Sequence, residues 1–200
     1  MRPRLVIFAR VPRLGGVKRR LAREIGDLAA LRFYWQTMNA VVGRLARDRR
    51  WDTFLAVTPG CARWPCGVPR LPQGGGDLGD RMTRVMRSLP SGPVVIVGTD
   101  IPDIGAAHVA RAFRVLGNHE AVFGPADDGG YWLVGLRRRP FMPRLDGPIR
   151  WSTEHALADS VARLGPRVRA GMLESLIDVD TAADLKAWRA LHRRPGRQRS

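Results

Sequence analysis

The sequence is poor in cysteine: 200 residues contain only Cys61 and Cys66. That excludes a small disulfide-stapled fold, and without a second pair the two do not make a zinc site. No stretch approaches the ~20 apolar residues of a membrane-spanning helix. The opening apolar run, Leu5–Ala9, stops at Arg10, too short for the hydrophobic core of a signal peptide. These absences lead us to expect a cytoplasmic protein without a membrane partner. Lysine is nearly missing too. Of 34 basic residues only Lys18 and Lys186 are lysines; against 18 acidic residues they give a net charge of +16 and a pI near 11.6. So high a pI invites a nucleic-acid reading. Nearly pure arginine beside abundant Gly, Ala and Pro, however, reads as compositional bias. There is also no aromatic–basic stacking pattern and no helix-turn-helix signature, so nucleic acid is the less favoured partner. The chain has no G-x-S-x-G and no Cys/His nucleophile pattern. Its four histidines, His108, His119, His155 and His192, show no ligand spacing.

What is present is the material of one α/β domain. Hydrophobic residues make up 44% of the chain, enough for a real core at this length. Compact apolar runs bounded by Gly, Pro or charge predict strands at Leu5–Ala9, Phe54–Thr58, Val94–Gly98, Ala121–Phe123 and Tyr131–Leu136, with a sixth within Val168–Ile177. Helices are predicted between them. Leu28, Leu31, Trp35, Met38, Val42 and Leu45 recur at helical spacing behind Asp27 as N-cap. Leu78, Met82, Val85 and Leu89 follow Asp77, with Asp80 placed to complete a capping box. Others are marked by Leu157, Val161 and Leu164, and by Leu185, Trp188 and Leu191, the last opened by Thr181 with Asp184 three residues on. Alternating strands and helices predict a Rossmann-like, mostly parallel sheet covered on both faces. Tyr131–Leu136 follows Phe123 too closely for a helical crossover, so an antiparallel neighbour is expected there. Residues 1–192 read as a single domain and the basic stretch 193–200 as a disordered tail. Trp64 and the Arg137–Arg139 run are candidate contacts of a homodimer.

Ligands of open parallel sheets bind beyond the carboxyl ends of the strands, and the polar clusters gather there. The segment from Phe8 and Ala9 through Arg10, Pro12, Gly15, Gly16 and Lys18 to Arg19 and Arg20 runs from a strand through a Gly/Pro loop into a helix with a cationic first turn. Cations there oppose the helix dipole unless an anion sits on the loop, bound by backbone N–H groups, Lys18 and Arg20. Gly98-Thr-Asp100-Ile-Pro-Asp103 ends an apolar strand in two carboxylates, hard ligands suited to Mg²⁺ or Mn²⁺ on a diphosphate; Asp103 reads equally as a helix cap. Gly124 to Tyr131 holds Asp127, Asp128, Gly129 and Gly130. It reads either as a hairpin turn or as a substrate loop with Asp128 as general base. Asp178 and Asp180 precede a helix: Asp180 and Thr181 read as its cap, and either aspartate as a metal ligand. Gln73 to Asp77, with Gly76, forms a glycine loop able to close over a nucleotide base. Trp151, Ser152, Thr153 and His155 open a further helix, where Ser152 or Thr153 reads as a cap.

Together these clusters resemble a bacterial family of GT-A-type, nucleotide-diphospho-sugar-transferase-like proteins, whose members are commonly labelled glycosyltransferases, including ones linked to arsenosugar biosynthesis. The family pattern F-A-K-x-P-x-P-G-x-V-K-T-R-L is matched by Phe8, Ala9, Pro12, Gly15, Val17, Lys18, Arg20 and Leu21. Gly76-Asp77-Leu78-Gly79-Asp80-Arg81-Met82 is similar to G-D-L-G-E-R-M, and Gly98 to Asp103 to G-T-D-x-P-D. Gly124 to Tyr131 is similar to G-P-x-x-D-G-G-Y, Trp151-Ser152-Thr153 to W-S-T, and Asp178 to Thr181 to D-V-D-T. Arg10, Leu14 and Arg19 depart from it. The resemblance spans Leu5 to about Leu191 and implies a GT-A fold and a transferase dependent on Mg²⁺ or Mn²⁺. Phe8, Ala9, Arg10, Gly15, Lys18, Arg20, Gly76, Asp77 and Leu78 would hold the nucleotide and its phosphates. Asp100, Asp103 and Asp180 would hold the metal, and Asp100, Asp128 and His155 would serve catalysis. Asp127, Gly129, Gly130, Tyr131, Trp151, Ser152 and Thr153 would take a small-molecule acceptor. The expected reaction is sugar transfer from a nucleotide-diphospho-sugar. The same architecture resembles guanylyltransferases that make molybdenum-cofactor and phospholactate nucleotides, so the alternative is a nucleotidyltransferase of the guanylyl or cytidylyl type, using an NTP and releasing pyrophosphate.

Overall fold

Strand β1 (Arg4–Ala9) lies inside the sheet, and its alternating side chains feed two separate cores. Leu5 and Ile7 face helices α2 (Asp27–Ala46) and α4 (Ala106–Val115), where Tyr34, Met38, Val42, Leu45, Val109 and Ala112 are buried. Val6 faces helices α3 (Leu78–Ser88) and α5 (Ala156–Leu164), against Met82, Val85, Met86 and Leu164. Apolar side chains on both faces of a strand are the mark of a sheet covered on both sides. The remaining strands are β2 (Asp52–Val57), β3 (Arg70–Pro72), β4 (Val94–Val97), β5 (Ala121–Pro125), β6 (Tyr131–Leu136) and β7 (Ala170–Met172), and the remaining helices α1 (Arg19–Ile25) and α6 (Ala182–His192). The computed structural model describes residues 2–192; the predicted tail, 193–200, lies outside them. No helix among the described residues is long and apolar enough to cross a membrane.

The sheet order is β3-β2-β1-β4-β6-β5-β7. Pairings β1–β2, β1–β4, β2–β3 and β5–β7 are parallel, while β6 is antiparallel to both β4 and β5. The short turn before Tyr131 demands that antiparallel strand. From β1 the chain steps to β2 on one side and later to β4 on the other, so the topological switch lies between β1 and β4. Ligands collect at the carboxyl ends beside such a point. A third, smaller core of Leu21, Ala30, Phe33, Val179 and Leu185 ties α1, α2 and α6 together there.

Several sequence expectations are corrected. Strand β3 was not predicted. Gly26, at φ 86°, is the N-cap of α2, and Asp27 is its first helical residue. Leu28 is exposed, because the buried stripe starts at Ala30 and adds Phe33, Tyr34, Thr37 and Val41 to the expected Met38, Val42 and Leu45. Arg137 and Arg138, candidate dimer contacts, turn onto their own chain: Arg137 pairs with Glu120, and Arg138 Nε donates to Gly92 O at 2.8 Å. Trp64 packs against the α2 side of the core. The predicted capping box of α3 is present, with Asp80 N donating to Asp77 Oδ1 at 2.8 Å and Asp77 N to Asp80 Oδ2 at 3.2 Å. Replacing Asp77 with Ala should lower stability by about 1 kcal/mol, measurable by urea denaturation.

Candidate active site

The loop leaving β1 brings Lys18 to the head of α1 in a left-handed backbone conformation, φ 46° and ψ 49°. That conformation is uncommon for a residue with a Cβ. The side chain explains it. The Lys18 side chain is 2% exposed, and its Nζ lies 3.1 Å from Asp100 Oδ1, 2.9 Å from Asp178 Oδ1 and 2.9 Å from Asp180 Oδ1. Asp100 stands just beyond β4; Asp178 and Asp180 come from the stretch between β7 and α6. An ammonium has three N–H donors: here two go to the Asp178 and Asp180 carboxylates and the third to the main-chain oxygen of Asp100 at 3.4 Å, with the Asp100 carboxylate beside it as an ion pair. Burial favours its neutral form, but Asp100, Asp178 and Asp180 outweigh that and hold its pKa above the ordinary lysine value. Burial pushes the Asp178 carboxyl up to about 7, against the attraction of Lys18 and assisted by like charge on Asp100 and Asp180. The cluster carries more negative than positive charge.

The alternatives left open for the acidic residues now separate. Thr181 and Asp184 cap α6 reciprocally, with Asp184 N donating to Thr181 Oγ1 at 3.2 Å and Thr181 N to Asp184 Oδ2 at 2.8 Å. The Asp180 carboxylate is thereby left to Lys18. Asp103 does not join the cluster: its Oδ1 accepts from Trp188 Nε1 at 2.9 Å and lies 3.1 Å from His192 Nε2, and Gly105, not Asp103, is the N-cap of α4. Among the described residues no three His, Cys, Asp or Glu side chains are arranged as a metal site. The ammonium stands between the three aspartates that come together.

Three spaces meet at this cluster. A cleft of about 230 Å³ is lined by Arg10, Lys18, Arg19 and Arg20 together with the aspartates. A cavity of about 420 Å³ runs along Phe8, Ala9, Arg10, Asp77, Leu78 and Trp151. Gln73 closes one side of it, its Nε2 donating to Ala9 O and Ala56 O at 3.2 and 3.0 Å. A third space, about 250 Å³, is lined by Asp100, Asp128, Gly130, Tyr131, Ser152 and Thr153, with Leu78, Trp151 and Asp178 also bordering it. Trp151 Nε1 is buried with no hydrogen-bond partner among the described residues. Asp128 Oδ1 accepts from Gly130 N at 2.9 Å, an Asx turn that leaves its other oxygen free of protein hydrogen bonds among the described residues. Burial raises the Tyr131 hydroxyl above its ordinary value, so it stays neutral and is a poor base.

Other expected residues lie apart. His155 is the N-cap of α5, with Nε2 3.7 Å from Glu154 Oε1, and borders none of these three spaces. Asp127 accepts from Ser175 Oγ at 3.0 Å. Gly129, at φ 80°, is pressed against the Glu154 backbone, where a side chain does not fit. Gly15 is an exposed turn glycine at φ 68°. Gly76, at φ 91°, leads into the α3 capping box and accepts from Arg81 Nε at 2.9 Å. Ser152 and Thr153, by contrast, line the third space: Thr153 Oγ1 donates to Arg150 O at 2.7 Å and accepts from His155 N at 3.3 Å, while Ser152 takes a left-handed φ of 62°.

Sequence reasoning missed Tyr34. Its hydroxyl accepts from Arg10 N at 2.8 Å, donates to Arg10 O at 3.0 Å and receives Thr99 Oγ1 at 3.3 Å, clasping the loop after β1 to the end of β4. Its place in an apolar helix stripe disguised that role. Tyr34→Phe leaves Arg10 N without its partner and should lower stability by about 1–3 kcal/mol, read by chemical denaturation. Gly79→Ala provides a second check. A Cβ there would lie 2.5 Å from Leu145 O and 2.9 Å from Trp151 Cζ2, so overpacking should destabilise the protein by about 1–3 kcal/mol, seen as a lowered Tm.

Residues 37–153 match the bacterial family described as "Uncharacterized protein conserved in bacteria (DUF2064)". No curated protein matches the chain. Among solved structures, a candidate nucleotide-diphospho-sugar transferase from Desulfovibrio desulfuricans G20 is similar with a TM-score of 0.89 and 29% identity, covering 100% of this chain and 91% of that one. The 4-diphosphocytidyl-2C-methyl-D-erythritol synthase of Anaerococcus prevotii DSM 20548 is similar at a TM-score of 0.60 and 10% identity, over 96% and 98% of the two chains. Glucosyl-3-phosphoglycerate synthase from Mycobacterium tuberculosis, solved with Mn²⁺ and UDP-glucose, is similar at 0.55 and 12%, over 88% and 69%. The last two likenesses show the fold alone. The α/β, Rossmann-like fold expected from the motifs is the one observed, of the nucleotide-diphospho-sugar-transferase type, and the chain belongs to the bacterial family that matches residues 37–153.

Proposed function

We propose that the chain is a divalent-metal-dependent transferase that moves a sugar from a nucleotide-diphospho-sugar to a small acceptor. The observation that carries this reading is the convergence of Asp100, Asp178 and Asp180 around one cationic position, between an arginine-lined cleft and two larger cavities. The name borne by the Desulfovibrio desulfuricans G20 protein supports it, as does the Mn²⁺ and UDP-glucose in the mycobacterial synthase structure. Hard carboxylate oxygens from two separate segments are a donor set that suits Mg²⁺ or Mn²⁺. In donor chemistry the residues fit such an ion, and Asp100, Asp178 and Asp180 would hold it, although with Lys18 between them they are not arranged as a metal site; Asp103, engaged by Trp188, takes no part.

A bound ion there would supply positive charge to the diphosphate as it departs. The chain's own residues supply the rest. Arg10, Arg19 and Arg20 line the cleft with side chains suited to bidentate phosphate contacts. Phe8, Leu78 and Trp151 give the 420 Å³ cavity apolar walls for a base and ribose. Asp128 borders the third space, where it would take the proton from an acceptor hydroxyl, with Tyr131 and Ser152 as neutral neighbours. Residues 1–192 act in this reading as one transferase domain. A second reading, nucleotidyl transfer from an NTP to a phosphorylated small molecule with release of pyrophosphate, is favoured by one observation: three arginines beside Lys18 suit a triphosphate.

Thermal unfolding with Mg²⁺ or Mn²⁺ and panels of nucleotide sugars and NTPs tests both. A nucleotide sugar near saturation should raise Tm by about 5 °C or more, and Asp100→Asn should remove the metal-dependent part. No shift with any nucleotide in either metal overturns the transferase reading. Pyrophosphate release from an NTP on adding a phosphorylated acceptor replaces sugar transfer by nucleotidyl transfer.

A further inference from the structure

Apart from Lys186, every basic side chain other than histidine is an arginine, yet the cation at the centre of the aspartate cluster is a lysine. The two are not interchangeable here. A guanidinium is a planar fork that suits paired acceptors in one plane. An ammonium is a compact point charge with three diverging donors. Lys18 Nζ donates to Asp178 Oδ1, Asp180 Oδ1 and the main-chain oxygen of Asp100, with Asp100 Oδ1 3.1 Å away as well, so that oxygens of three residues surround one point. The lysine thus sits where a small inorganic cation would make its contacts. It is also held there under tension, since its backbone is left-handed and its side chain is 2% exposed. Such a conformation persists only where surrounding contacts over-determine it, and here those contacts are the three carboxylates.

We infer that Lys18 is a resident stand-in for the divalent cation: its ammonium occupies the aspartate cluster in the ligand-free protein and must leave it before Mg²⁺ or Mn²⁺ can bind there. This rests on the metal-dependent reading above. Two cations cannot share one set of oxygens at these distances, so ion and ammonium compete directly. The exchange replaces one positive charge by two in a cluster that three carboxylates leave with excess negative charge. Competition also explains why the three aspartates converge and yet are not arranged as a metal site: they are spaced for N–H···O contacts of about 3 Å, not for the 2.0–2.6 Å of Mg²⁺ or Ca²⁺-like coordination. The displaced ammonium borders the arginine-lined cleft, so an anion held there would stabilise the exchanged arrangement. Divalent ion and anionic ligand should accordingly bind with positive coupling through this one side chain.

The scarcity of lysine makes the exchange directly measurable in the unaltered protein. Brief acylation with an amine-selective reagent, followed by mass spectrometry, reports Lys18 against Lys186 as internal reference. Without nucleotide, saturating Mn²⁺ should raise the labelling of Lys18 relative to Lys186 about tenfold as the buried, ion-paired ammonium is set free. An unchanged ratio overturns the inference. Independently, Lys18→Met keeps the length of the stem and removes the competitor. Its affinity for Mn²⁺ alone, by titration calorimetry, should exceed that of the unaltered protein about tenfold or more. Equal or weaker affinity overturns the inference. Should the variant fold only with Mn²⁺ present, that dependence counts as support, and the labelling ratio decides by itself if it does not fold at all. The two failures are distinguishable. Nucleotide-dependent stabilisation with unchanged Lys18 labelling refutes the exchange alone; its absence in every metal and nucleotide refutes the transferase reading, and the exchange with it.

Discussion

One ammonium holds three distant parts of this chain in register. Lys18 stands at the end of the loop after β1, Asp100 beyond β4, and Asp178 and Asp180 ahead of α6. A buried charge without partners is strongly unfavourable, and so is a group of like charges at contact distance. Each defect is relieved only by the other. The loop after β1 therefore cannot move away from β4, nor α6 from α1, without exposing an uncompensated charge. The small core of Leu21, Phe33, Val179 and Leu185 packs around the same junction and gives the ion cluster apolar support on the α1–α2–α6 side.

The sheet sets the stage for that contact. Because β1 lies between β2 and β4 in parallel pairings, the carboxyl ends of all three strands open on the same edge. Tyr34 then fixes the loop at Arg10 to Thr99 across that edge, and Gln73 binds the carbonyls of Ala9 and Ala56. Polar side chains thus close the hydrogen-bonding gaps that diverging strand ends leave open. The cleft and the two cavities open beside these contacts, the cleft lined by arginines and the cavities by aromatic rings.

Much of this was legible in the sequence, for physical reasons that differ from element to element. Strands buried on both faces announce themselves as unbroken apolar runs, as at Val94–Val97, and the short link before Tyr131 required an antiparallel strand. The α3 capping box was readable because its two partners are three residues apart. Strand β3 was not: Arg70–Pro72 is a three-residue edge strand with two exposed positions, and a run that short carries no periodicity. The site was legible as a set of residue types at strand ends, but not as a set of contacts. Lys18 was expected on a phosphate and is found on carboxylates 82, 160 and 162 residues away in sequence. Neither that pairing nor Tyr34's clasp leaves a local pattern. Asp103 and His155 lie apart from the cluster for the complementary reason, since a polar residue near a strand end has many surface partners to choose from, and theirs are Trp188 and Glu154.

The placement of Asp178 and Asp180 just before α6 also constrains how the protein is born. A ribosome releases the Gly/Pro loop and Lys18 first, Asp100 much later, and the last two carboxylates only after every strand of the sheet. Until then the lysine has at most one of its three counter-charges, and the left-handed turn that presents it lacks its restraint. Contacts this remote in sequence form late in folding. Assembly of the lysine–aspartate cluster therefore waits on the segment ahead of α6: a nascent chain that lacks it can raise most of the sheet, but not the charged contact that ties the loop after β1 to that segment.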